Sequence, residues 1–173
     1  MIPSKRTFLL WFWGGIVAFA VTLAFHIPLI TEGVPGGIGD HQSAPDASTI
    51  DAIQTSWRLD GLSNQAAIAM ITDLIFIGIY GIGCILGGLY YRSKSALTLK
   101  VLGWIALVSG LVFLLTDYGE TISQFIQLMN FEGDDALANF ASTVRPVKML
   151  TWSSGFLTIV AALIIDRFST SDA

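Results

Sequence analysis

The stretch from Ala66 to Tyr91, AAIAMITDLIFIGIYGIGCILGGLYY, decides the fold because only one of its side chains, that of Asp73, is charged. A helix needs about 20 predominantly apolar residues to cross about 30 Å of hydrocarbon. Backbone polar groups have no water partner in that layer, so such a run has to be helical. The pattern therefore predicts a transmembrane helix over residues 66–91.

Three further apolar runs have the same character, over residues 8–29, 99–128 and 147–166. Hydrophobic residues make up 53% of the chain and charged residues only 13%, against about 25% charged in soluble domains. The first run is longer than the core of a signal peptide, so we expect a signal anchor that stays as the first span. The sequence therefore predicts an all-α integral membrane four-helix bundle, with one domain over residues 1–173.

Lysine and arginine residues are distributed unevenly between the ends of the predicted spans. Six of the nine lie at one end: Lys5, Arg6, Arg92, Lys94, Lys100 and Arg167. Since cytosolic loops carry the excess of these residues, both termini and the inner loop 92–98 are predicted to be cytosolic. The expected location is the bacterial inner (plasma) membrane. Most acidic residues lie on the other, outer face, so the net charge of −4 gives no reason to expect nucleic-acid binding.

The first predicted outer loop, residues 30–65, contains an amphipathic segment. Residues 48–51 (STID) resemble a helix capping box with Asp in place of the usual Glu. Ile50, Ile53 and Trp57 follow at helical spacing. We predict a short helix that lies on the outer membrane surface or caps the bundle.

The second predicted outer loop, residues 130–145, has the same character. Asp134 and Asp135 favour a helix start, so a second short amphipathic helix is predicted. Pro146 suits the first turn of the last span, where its missing N–H has no helical partner to lose.

Each predicted span carries an ionisable group 17–20 residues from its cytosolic charge: His26, Asp73, Asp117 with Glu120, and Lys148. At about 1.5 Å per residue these groups are all roughly 25–30 Å away, near the outer edge of the hydrocarbon. His26 and Lys148 fit as residues that mark an interface. The helices continue past Asp73, Asp117 and Glu120, and acids within a span usually face the interior and find a partner there.

We therefore predict an outward-opening polar cluster that binds a ligand or forms ion pairs. Its residues are Asp73, Asp117, Glu120, Lys148, Arg145, Tyr80 and His26. Tyr80 belongs to it because it lies seven residues after Asp73 and shares its helix face. No metal site and no cofactor are expected, because the chain has only two histidines and no repeated spacing of His with acids.

The inner part of the second span is typical of close helix packing. Gly83 and Gly87 have the Gly-x-x-x-Gly spacing, whose partner is another span or a second copy of the chain. The single cysteine, Cys84, excludes a disulfide within the chain. The expected partners are membrane lipids, a small molecule or protein on the outer face, and a second copy in a homo-oligomer.

Three motifs resemble a loosely defined group of bacterial four-span proteins whose function is uncharacterised. They are Asp73-Leu74-Ile75-Phe76 with Tyr80, Asp117-Tyr118-Gly119-Glu120, and Lys148. This resemblance implies the four-span fold and no particular activity. The layout is also similar to that of claudin-type proteins in having a large first outer loop, but the paired loop cysteines of those proteins are absent here.

Three functions are compatible with these observations. The favoured one is a membrane protein that binds a lipid, small ligand or partner at the polar cluster. The second is a small membrane enzyme that acts on a lipid or quinone-like substrate through acid–base chemistry of the Asp and Glu side chains. The third is a structural or assembly subunit whose acids form a buried ion-pair network.

Overall fold

The computed structural model describes residues 2–169, in which six α-helices and no strand are found. The helices are α1 (Lys5–His26), α2 (Ile38–Ser43), α3 (Ala47–Leu59), α4 (Ser63–Arg92), α5 (Leu97–Asn130) and α6 (Asp135–Ser169). A 3₁₀ turn, Ile27–Leu29, follows α1. Four helices, α1, α4, α5 and α6, are long and apolar enough to cross a membrane. The predicted all-α four-helix bundle is thereby confirmed, and the chain is a multi-pass membrane protein.

The last long helix begins earlier than the sequence pattern predicts. α6 starts at Asp135 and continues without a break, with Pro146 inside it. Asp134 caps this start by accepting a 2.9 Å hydrogen bond from the N–H of Leu137. The predicted loop boundary at residue 145 and the place of Pro146 in a first turn were therefore wrong. One missing N–H at Pro146 does not end a helix that is capped and continued by helical residues on both sides.

The predicted first outer loop contains two short helices, α2 and α3. The separate short helix predicted in residues 130–145 was wrong, because residues 135–145 are the start of α6. Asp46 is the N-cap of α3, and its carboxylate accepts the N–H of Thr49 at 2.8 Å. This hydrogen bond holds the pKa of Asp46 below its ordinary value. The predicted capping box at residues 48–51 was wrong, because Asp51 accepts the backbone N–H of Gly133 instead, at 2.6 Å.

Contacts divide the chain into two compact units, and each takes residues from all four long helices. Met1–Ile16, Ile77–Leu115 and Val147–Ala173 form the first, called the glycine–aromatic unit below. Val17–Phe76 and Thr116–Pro146 form the second, called the polar unit. The single domain expected over the whole chain stays a prediction.

In the glycine–aromatic unit, helices approach one another at glycines. A Cβ added at Gly83 would lie 2.7 Å from the Cα of Phe12, so only glycine lets α1 come this close to α4. A Cβ at Gly88 would lie 2.6 Å from the backbone nitrogen of Leu107 on α5. Gly87 faces the side chain of Ile159 on α6. The Gly83–Gly87 spacing therefore serves contacts within the chain, which was one of its two predicted uses.

The polar unit has an apolar core built largely from its loops. Trp57 of α3 is fully buried, and its indole N–H donates a 3.0 Å hydrogen bond to the backbone oxygen of Leu29. Ile50 and Ile53 are buried on the same face of α3, among Val34, Ile38, Ala66, Ala69, Met70, Leu128 and Ala138. The amphipathic helix predicted in this loop thus packs on the span ends that belong to this unit.

Candidate functional site

Two polar residues on different helices of the polar unit come together near the ends of their spans. His26, the last residue of α1, places its Nε2 3.4 Å from Oδ2 of Asp73 on α4. The side chains are 15% and 11% exposed. The sequence places both residues in the predicted polar cluster, and the structure brings them together.

Polar side chains also form a stripe along one face of α5. Its members are all at most 4% exposed: Asp117, Glu120, Thr121, Gln124 and Gln127. Their spacing of three or four residues is that of one helix face. Charged and amide groups are costly at membrane depth and normally face the protein interior there. We call this set the α5 polar stripe.

A hydrogen bond connects α5 to α4 beside Asp73. The hydroxyl of Tyr118 donates to the backbone oxygen of Leu74 at 3.1 Å. Tyr118 follows Asp117, and Leu74 follows Asp73, so these two acids lie at similar heights along their helices. Within the stripe, the hydroxyl of Thr121 donates to Asp117 at 3.5 Å.

The end of the stripe at Gln124 is covered by α2. Gln124 donates from Nε2 to the backbone oxygen of His41 at 3.3 Å. The ring of His41 stacks on the indole of Trp57, with 5.4 Å between centroids. Its Nε2 lies 3.4 Å from Nε2 of Gln54. Gln127 holds the start of α6, because its Oε1 accepts the N–H of Asp134 at 2.9 Å.

Burial strongly affects the chemistry of His41. The residue is 1% exposed, and burial alone lowers its pKa from 6.5 to about 4. The imidazole is therefore neutral at pH 7. His41 and Gln54 were not predicted as site residues. A signal existed for Gln54, because it falls on the apolar face of α3 together with Ile50 and Trp57.

Three other predicted residues have different surroundings. Arg145 donates from its guanidinium to the backbone oxygen of Gly39 at 3.0 Å, which ties α6 to α2 within the polar unit. Tyr80 belongs to the glycine–aromatic unit, where its hydroxyl donates to the backbone oxygen of Trp152 at 2.7 Å. Lys148, which is 6% exposed, also belongs to that unit. Its predicted pairing with the acids stays a prediction.

Among residues 2–169, no group of three or more His, Cys, Asp or Glu side chains is arranged to hold a metal ion. The polar unit contains carboxylates, amides, hydroxyls, two imidazoles and the guanidinium groups of Arg58 and Arg145. No family model, no curated protein and no solved structure matches the chain.

Proposed function

We propose that this chain is a binding protein of the bacterial inner membrane, with both termini in the cytosol, which holds a small molecule or a lipid headgroup in the polar unit. The observation that carries the proposal is the α5 polar stripe, and above all Glu120, whose side chain is fully buried. Burying a carboxylate within a membrane helix is costly, so such residues mostly mark ligand or ion sites. A carboxylate, amides and hydroxyls on one face suit a ligand that offers several hydrogen-bond donors.

The two short loop helices support the same function. α2 and α3 cover the end of the α5 polar stripe at Gln124 through the contacts of His41 and Gln124. A site that is closed by loop elements excludes water, which strengthens hydrogen bonds and charge interactions with a bound group. Loops held on rigid helices are also the usual location of binding residues.

Native mass spectrometry of the detergent-extracted protein tests the proposal, with Glu120→Gln compared with Glu132→Gln. The two substitutions remove the same charge, but Glu132 is exposed. We expect wild-type protein and Glu132→Gln to retain a bound molecule and Glu120→Gln to lose it, with at least a tenfold drop in occupancy. Thr121→Val provides a second, milder variant should Glu120→Gln fail to fold.

An unliganded chain in all variants, with the same thermal unfolding temperature throughout, would eliminate the binding function. An unliganded wild type with a strongly destabilised Glu120→Gln would favour the structural role instead. In that case the acid would act only by holding the helices together, and removing one partner of a buried ion pair costs about 3–5 kcal/mol.

A further inference from the structure

Several buried polar atoms of the polar unit have no hydrogen-bond partner among the described residues, and three of them lie on the two spans α1 and α4. These three are Oγ1 of Thr22, Nε2 of His26 and Oδ2 of Asp73. The 3.4 Å approach of His26 to Asp73 lacks hydrogen-bond geometry, so it leaves both atoms unsatisfied. Buried polar groups are nearly always hydrogen-bonded, and each exception needs an explanation.

The packing of α1 against α4 indicates that Thr22 lies on the same side as His26 and Asp73. The rings of Phe19 and Phe76 are in contact, with 5.1 Å between their centroids. Because the two helices are consecutive antiparallel spans, moving three residues on from Phe19 and three back from Phe76 reaches Thr22 and Asp73. His26 follows Thr22 by one helical turn, and long helical side chains lean back over the preceding turn.

The hydroxyl of Thr22 differs from other hydroxyls in the same unit. A buried Ser or Thr in a helix usually donates to a backbone oxygen of the preceding turn. Thr72 does so to Ala69 at 2.7 Å, and Ser123 to Gly119 at 2.7 Å. Thr22 is 1% exposed, yet its Oγ1 makes no such bond. Its hydroxyl therefore remains available to a bound group.

The chemistry of the three atoms defines the group they would bind. A carboxylate oxygen, a hydroxyl oxygen and an unprotonated imidazole nitrogen can each accept a hydrogen bond, and a carboxylate supplies a negative charge. A primary ammonium offers three N–H donors and one positive charge, so it matches both the three acceptors and the negative charge. A quaternary ammonium has no N–H to donate and is usually held by aromatic rings. A phosphate or carboxylate would be repelled by Asp73.

We propose that Thr22, His26 and Asp73 bind a primary ammonium group. This proposal rests on the proposed function, because it names the group that a ligand presents to the polar unit. The side chains of His26 and Asp73 are 15% and 11% exposed, so an ammonium group can reach them from outside the protein. The ammonium comes from an aminophospholipid headgroup or from a soluble amine, and the predicted position of both residues near the outer edge of the hydrocarbon suits either source.

The test uses the full-length protein in detergent, titrated with phosphatidylethanolamine or with phosphatidylcholine of the same acyl chains. Bound lipid is counted by native mass spectrometry. We expect phosphatidylethanolamine to bind at least tenfold more tightly than phosphatidylcholine. Thr22→Val should lower this preference by about threefold, as expected for one neutral hydrogen bond, and Asp73→Asn should abolish it. Thr72→Val is the matched control, because its hydroxyl is already bonded to its own helix, and it should bind as wild type does.

Free ethanolamine separates the two sources. One outcome is that millimolar ethanolamine displaces the bound lipid from wild type and leaves the lipid that still binds to Thr22→Val in place. In that case the site recognises the amine itself, and a soluble amine is the ligand. If ethanolamine has no effect while the lipid preference holds, the ligand is the lipid. Equal binding of the two lipids combined with no ethanolamine effect would overturn the inference. A retained molecule that lacks a primary amine and is lost in Glu120→Gln would also overturn it, while leaving the proposed function intact.

Discussion

The glycine–aromatic unit and the polar unit are built from parts of the same four helices but are stabilised in different ways. In the first, Gly15, Gly83 and Gly88 allow backbones to approach closely, and Tyr80 contacts the rings of Phe12, Phe113 and Trp152. In the second, the α5 polar stripe and the buried loop residues supply hydrogen bonds. Close contacts of backbones and rings are therefore prominent in the first unit, and hydrogen bonds of buried amide and imidazole side chains in the second.

This contrast follows from how helices associate in lipid. Apolar side chains gain little by leaving lipid for protein, so association depends on close packing and on hydrogen bonds between helices. The glycine–aromatic unit relies mainly on packing. The polar unit contains buried groups that packing does not require, which is why the proposed function is placed there.

The largest expected effect distinguishes two adjacent glycines of the glycine–aromatic unit. A Cβ at Gly15 would lie 2.6 Å from the Cα of Tyr80, whereas a Cβ at Gly14 would meet only Cγ2 of Ile79 at 3.6 Å. Gly15→Ala should destabilise the protein by about 3 kcal/mol, because the backbone of α4 cannot move aside locally. Gly14→Ala should be neutral or stabilising by up to about 1 kcal/mol. Thermal unfolding in detergent measures both, and similar results for the two variants would contradict the role given to close packing.

A smaller effect is expected in the polar unit, where His41 should make the stability of the protein depend on pH. The pKa of His41 is about 4 in the folded protein and 6.5 in the unfolded chain. Above pH 6.5 the group is neutral in both states and does not alter stability. Between pH 6.5 and 4 mainly the unfolded chain takes up the proton. The free energy of unfolding therefore decreases as the pH is lowered, by about 2 kcal/mol at pH 5.

His41→Gln keeps a neutral polar side chain and should remove this component of the pH dependence. The charged groups near His41 include the carboxylate of Asp40 on α2 itself and the guanidinium of Arg145, which contacts α2. Both are present in wild type and variant, so their contribution cancels in the difference. Tryptophan fluorescence during heating at pH 7.5, 6 and 5 measures this difference in stability between wild type and His41→Gln. Parallel stability profiles of the two proteins would refute the buried neutral state of His41.

The smallest expected effect concerns charge in the glycine–aromatic unit. Asp166 is paired with Lys5 at 2.6 Å and with Lys94 at 3.5 Å. Lys94→Ala should cost less than about 1 kcal/mol, because the pair is long, the Lys94 side chain is 33% exposed and the shorter pair with Lys5 remains. Lys5→Ala, measured in the same unfolding assay, should cost more. A large loss in Lys94→Ala would show that ion pairs stabilise this unit as well, which would weaken the contrast.

Much of the fold could be predicted from local sequence. The existence of the four spans follows from the hydropathy of 18-residue windows. The cap of α6 at Asp134 and the amphipathic character of α3 follow from shorter local patterns. The boundary at Pro146 could not be predicted, because a proline is compatible both with a first turn and with the interior of a capped helix.

The candidate site was predictable only in part. His26 and Asp73 were grouped by depth, and the structure places them 3.4 Å apart. Thr22 gave no signal, since a threonine in an apolar helix usually bonds to its own backbone. Tyr80 shares a helix face with Asp73 by spacing, yet it belongs to the glycine–aromatic unit and donates to Trp152.

The sequence by itself determined that four helices cross a membrane, because length and hydrophobicity are properties of each segment alone. Only the tertiary structure decided which polar atoms meet and which glycines face a backbone. Those properties depend on the register between helices and on the rotation of each about its axis. Both are set by contacts between residues far apart in the chain, such as Phe19 with Phe76, which spacing within one helix does not specify.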